Sequence, residues 1–86
     1  MPNTNNTNNE RNLMIMRITN KLGIIREQNG LSQEQLAWKS TVSRHTISEI
    51  ELERRIPSVK TALLLAKALD CAVEDVFCLE EEIKGR

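Results

Sequence analysis

Leu31-Ser32-Gln33-Glu34-Gln35-Leu36-Ala37, followed after four residues by Val42-Ser43-Arg44-His45-Thr46-Ile47-Ser48-Glu49-Ile50-Glu51, decides how this chain reads, because its punctuation is that of two short helices joined by a tight turn. Ser32 stands where an N-cap belongs and Gln35 follows three residues later, so the hydroxyl and the amide can each satisfy an orphan backbone donor. The first helix of the pair therefore starts at Gln33. Leu36 and Ala37 form its inner stripe, Ala37 being small enough for a second helix to cross closely. Ser43 offers the next N-cap, so the second of the pair starts at Arg44. Its apolar positions, Ile47 and Ile50, share one face, which leaves Arg44, His45, Ser48 and Glu49 as a short polar surface that fits the major groove of duplex DNA. These four are the candidate base readers.

The rest of the composition narrows the setting. With 86 residues and 40% hydrophobic content, the chain supports one domain with one small core. One Phe, one Trp, no Tyr and a single run of alternating apolar residues of any length disfavour a β-sandwich or a platform for stacking single-stranded bases, so an all-α fold is expected. No stretch approaches the roughly 20 apolar residues of a membrane span. The Asn-rich start lacks the basic and apolar regions of a signal peptide, so a cytoplasmic protein is expected. Two cysteines, Cys71 and Cys78, are too few for a disulfide framework and read as reduced packing residues, with a redox switch as the sharper alternative.

Net charge is zero, which weakens any purely electrostatic attachment to nucleic acid. The distribution matters more than the sum. From Arg11 to Lys60 there are nine Lys or Arg against five Glu, whereas from Thr61 onward there are three basic and six acidic residues. The half that carries the paired helices is basic, and the other half should face away from phosphate.

Along the chain, residues 1–12 hold six Asn and two Thr with almost no apolar side chain, so an unstructured tail is expected there. A domain over 13–79 follows, then a short charged tail over 80–86 that is expected to fray. The spacing Ile18, Leu22, Ile25 predicts a first helix from about Leu13, ended by Asn29-Gly30 in the manner of left-handed caps. Arg54-Arg55-Ile56-Pro57 reads as a loop, Ser58 as the cap of a fourth helix over about Val59 to Leu69, and Val73, Val76 and Phe77 as a short fifth helix. His45 is the only histidine, with no cysteine at ligand spacing, so neither a catalytic triad nor a metal site is expected, nor any cofactor or small-molecule substrate.

The order of these residues resembles the lambda-repressor and Cro family of helix-turn-helix domains, the Cro/C1 or XRE type, from about Ile18 to Phe77. The residues that carry the resemblance are Arg26, Ser32-Gln33, Leu36-Ala37, Val42-Ser43-Arg44, Ile47, Ile50-Glu51, Arg54-Arg55, Pro57-Ser58 and Leu65-Ala66-Lys67-Ala68-Leu69. The resemblance implies a compact five-helix, lambda-repressor-like domain in which Arg44, His45 and Glu49 reach base edges. It implies phosphate contacts from Gln33 and the start of the second helix and from Arg54 or Arg55; the expected phosphate set is Ser32, Gln33, Lys39, Ser43, Thr46, Arg54 and Arg55. It further implies that Arg26 and Glu51 face inward as an ion pair. Three positions depart from the pattern: Thr41, Glu53 and Asp70 stand where the family usually has Gly, which there relieves a positive φ. Ala72 replaces a frequent capping Ser.

The function expected is that of a transcriptional regulator, a repressor in the first instance, which binds a pseudo-palindromic operator as a homodimer. The dimer surface is expected on the fifth helix with the end of the fourth, through Val76, Phe77 and Leu79. A rival from another class is an antitoxin-like or other protein-interaction module that holds a partner through Trp38, Leu52 and Ile56, with DNA binding secondary.

Overall fold

The computed structural model describes residues 13–84, and the expected tail over 1–12 lies outside them. The order is β1 (Leu13–Asn20), α1 (Leu22–Gln28), α2 (Gln33–Ser40), α3 (Arg44–Glu51), α4 (Val59–Ala68), α5 (Val73–Val76) and β2 (Phe77–Lys84). Three of the five helices start at a serine whose hydroxyl accepts the backbone N–H three residues on. Ser32 takes Gln35 N at 3.0 Å, Ser43 takes Thr46 N at 3.1 Å and Ser58 takes Thr61 N at 3.1 Å. At Ser32 the Gln35 side chain also accepts from the Ser32 N–H at 2.8 Å, which completes the capping box. Ala72 has no hydroxyl to offer α5, and there the Asp75 carboxylate accepts from its backbone N–H at 3.1 Å.

The core is one cluster. Leu22, Leu36, Val42, Ile47, Ile50, Leu65, Leu69 and Val76 are buried together, with Ile25, Leu31, Leu64 and Phe77 packed around them. Each helix contributes, so no element closes its apolar face alone.

The expectation of an all-α domain is corrected by β1 and β2, which pair antiparallel from Leu13 opposite Lys84 to Asn20 opposite Phe77. Residues 13–20, read as the start of the first helix, are strand, and α1 begins only at Leu22. Residues 80–84, expected to fray, belong to β2, and Phe77 opens that strand instead of closing the fifth helix. Two effects explain the difference. Spacings of four and three between Ile18, Leu22 and Ile25 satisfy a helical period by coincidence. The ladder between residues on either side of all five helices is a non-local interaction that overrides the weak local preference of Glu80-Glu81-Glu82 for helix.

Thr41, Glu53 and Asp70, the three residues at family glycine positions, all have positive φ, at 64°, 60° and 57°. The chain keeps the turn geometry without the glycine.

Candidate nucleic-acid interface

Four local features build the candidate surface. Ser43 fixes the start of α3, and Ile47 and Ile50 bury its inner face completely, so the orientation of the helix is set by the core. Arg44 and His45 then stand exposed in the first turn, with Ser48 and Glu49 half-buried one turn on. Arg44, Lys39, Arg54 and Arg55 have no ion-pair partner among the described residues, so their cationic groups are available to an external anion. Arg54 and Arg55 lie exposed in the loop that follows α3.

The far end of α3 is held from two directions. Arg26 and Glu51 form a two-point pair, Nε to Oε2 at 2.7 Å and Nη2 to Oε1 at 3.2 Å, with side chains only 11% and 13% exposed. The remaining Arg26 nitrogen donates to the Leu31 carbonyl at 2.7 Å, so the guanidinium is satisfied within the fold. Its hydrogen bond to Glu51 raises its pKa further, against the opposing effect of burial. Gln33 donates its Nε2 to Glu51 Oε1 at 3.0 Å, which ties the start of α2 to the end of α3. From the other side, Asn20 donates Nδ2 to the Ile50 carbonyl at 2.9 Å while its Oδ1 accepts from Leu22 N. Arg17 reaches Glu53 at 3.0 Å.

Several expected phosphate holders are thus engaged inside the protein. The Ser32 and Ser43 hydroxyls serve as caps, Thr46 Oγ1 accepts from Ser43 Oγ at 2.9 Å, and the Gln33 amide leans on Glu51. These side chains position the starts of α2 and α3, the electrostatically positive end of each helix. Val76, expected at a dimer surface, is wholly buried in its own core and cannot meet a partner. Phe77 is half-buried against that core, and only Leu79 is freely exposed. Sequence reading missed Asn20 and Arg17 as supports of α3, since nothing local announces a strand residue closing a helix end.

Trp38 is 82% exposed and lines an open groove with Glu34, Ala37, Thr41, Val42 and Ser43, beside the start of α3. Among the described residues no group of His, Cys, Asp and Glu converges as a metal site, and no helix is long and apolar enough to cross a membrane. Cys71 and Cys78 are both free and half-buried.

Comparison with known proteins agrees with this geometry. A family model described as helix-turn-helix matches residues 22–76, from the start of α1 to the end of α5. The chain is similar to the HTH-type transcriptional regulator YgzD of Bacillus subtilis, 43% identical over 63 residues that cover 73% of this chain and 96% of the relative. A regulator of the same type from Methanocaldococcus jannaschii is similar to the same extent, 43% over 63 residues, 73% and 96%. Among solved structures, the restriction-modification controller protein C.AhdI of Aeromonas hydrophila superposes with a TM-score of 0.61 at 37% identity, over 63% of this chain and 82% of that one. With α3 capped and packed on the core, cations beside it that have no ion-pair partner among the described residues, and a match that spans every helix, the chain belongs to the Cro/C1-type helix-turn-helix family of transcriptional regulators.

Proposed function

We propose that the protein is a repressor that binds a pseudo-palindromic operator as a homodimer in the cytoplasm, by binding alone and without cofactor, metal or catalysis. The observation that carries this reading is the exposure of Arg44 and His45 on a helix whose inner face is locked by Ile47 and Ile50. Arg44 has the length and fork to take guanine O6 and N7 together, and Glu49, on the same helix, accepts from a cytosine amino group. Four readers on one short helix specify few base pairs. Two-fold pairing doubles them and matches half-sites roughly 34 Å apart. The cations of Lys39, Arg54 and Arg55 hold the phosphates on either side and supply register without sequence information.

Selection from a randomised duplex library tests this directly. The wild-type protein is expected to enrich a two-fold symmetric site, and Arg44→Ala to enrich a different one. Enrichment of no site, or an unchanged preference in Arg44→Ala, would show that α3 does not read bases.

A second reading draws on the exposed apolar side chains Trp38, Leu52 and Ile56. They favour a partner protein on the helical body, as an antitoxin-like module requires, with DNA binding as the secondary activity. A gel shift with the upstream region of its own gene, with and without co-purified protein, separates the two.

A further inference from the structure

The β1–β2 ribbon has two chemically different faces. Directly opposed residues share a face and successive residues alternate, so the register puts Ile18, Leu79, Met16, Glu81 and Ile83 on one side and Arg17, Glu80, Ile15 and Glu82 on the other. The second face is satisfied within the chain, since Arg17 bonds Glu53 and lies 4.0 Å from Glu82. On the first, Asn20 and Phe77 at the base turn to the helical body, while the outer apolar residues have no partner among the described residues. Leu79 and Ile83 are 63% and 65% exposed, and Met16 and Ile18 at its centre are 45% and 37% exposed. A two-stranded ribbon is marginally stable in water unless its apolar face is covered.

We propose that a second copy of this chain covers that face, the two ribbons stacking apolar side to apolar side across the two-fold axis of the operator-bound dimer. The inference rests on the homodimer reading above and names its surface. Two observations select a second copy as the occupant. The patch is apolar apart from Glu81 and offers no cation to an acidic partner, so the surface it complements best is another like itself. The ribbon is attached to the reading helix through Asn20 and Ile50, so a contact between ribbons fixes the separation of two α3 helices, which a contact with a foreign protein would not need to do. Its size also fits. Eight residues at about 3.3 Å each, across two strands about 4.8 Å apart, give a footprint of roughly 260 Å² per copy. A permanent interface buries about 800 Å² per partner, so the ribbons pair weakly in solution and firmly once both copies lie on one duplex. Glu81, opposite Met16, sits within the face and opposes the stack, which keeps free ribbons from pairing firmly.

Cysteine cross-linking of the full chain tests the assignment. In a Cys71→Ser background, the native Cys78 lies on the charged face and Leu79→Cys, made with Cys78→Ser, on the apolar one. A bismaleimide reagent is expected to join the Leu79→Cys protein into dimers at high protein concentration, several-fold more when the selected two-half-site duplex is added, and to leave the Cys78 protein monomeric. Equal cross-linking of both, or of neither, overturns the stack. Met16→Lys and Ile83→Lys are expected to weaken self-association in sedimentation at least tenfold with an unchanged melting midpoint, and unchanged self-association counts against the proposal. Intact binding of a single half-site without cross-linking defeats the ribbon stack alone. Cross-linking without any duplex binding defeats the DNA reading alone.

Discussion

Asn20, the last residue of β1, donates its side-chain amide to the backbone carbonyl of Ile50, one residue before the end of α3, at 2.9 Å. The ribbon therefore closes the C-terminal end of α3. Asn20→Ala leaves the Leu22 N–H without its acceptor and takes one of two donors from the Ile50 carbonyl, which keeps the Glu53 N–H at 2.9 Å, at a cost of about 1 kcal/mol. Asn20→Asp keeps the acceptor for Leu22 but sets a carboxylate oxygen against the Ile50 carbonyl, so it is expected to be no better than alanine. Thermal unfolding of the three proteins checks the order; full stability of the aspartate variant would mean that the Ile50 bond contributes nothing.

The Arg26–Glu51 pair is nearly buried, and removal of one partner strands a charge. Arg26→Ala is expected to cost about 3 kcal/mol. Arg17, half-exposed beside Glu53, should cost less than about 1 kcal/mol when replaced by alanine. Denaturant titration distinguishes them, and equal midpoints for the two variants would contradict the burial of the Arg26 pair.

Thr41 has a φ of 64°, a conformation that a β-branched residue adopts at a cost on the order of 1 kcal/mol or more. Thr41→Gly is expected to stabilise the domain by up to about 1 kcal/mol, the entropy lost with glycine offsetting part of the relief. Asp70→Gly, at 57°, should gain less because aspartate tolerates this region. A lower melting temperature for Thr41→Gly would mean that the turn is not strained.

Arg54→Ala and Arg55→Ala remove cations from the loop after α3 without touching a reader. Each is expected to weaken selected and random duplexes alike and to lower the salt slope of binding by about one. Affinity measured across a salt series gives the slope, and a change in preferred sequence would reassign that arginine to the base readers.

Burial, with Asp75 and Asp70 nearby, pushes the Cys71 thiol up from its ordinary value. A raised pKa in the folded state favours the protonated form, so the contribution to stability is complete below the ordinary thiol range and is lost as pH rises through it. At pH 8, iodoacetamide should label Cys71 in a Cys78→Ser protein more slowly than it labels an unstructured cysteine peptide. Equal rates would show that the burial is not felt by the thiol.

What could be read from the chain followed the range of the forces involved. Serine caps act over three residues, so the starts of α2, α3 and α4 at Gln33, Arg44 and Val59 were legible from Ser32, Ser43 and Ser58. The exposed face of α3 was legible because Ile47 and Ile50 define the inside of that helix and hence its outside. The ribbon was not, since β1 and β2 gain their stability from each other across the whole helical segment, and the glutamates of β2 disguise the alternation of Phe77, Leu79 and Ile83. The resemblance implies a phosphate contact for Gln33, and the bond of its amide to Glu51, 18 residues away, had no local signal.

The two halves of the ribbon are also the first and last described elements to leave the ribosome. Synthesis delivers β1, then all five helices, and β2 only afterwards. The helices can gather during translation from contacts close in sequence, but β1 waits with an open edge for a strand that does not yet exist. A nascent chain therefore carries α3 before it carries the second strand of the brace behind that helix. The ribbon is paired only after every helix has been made.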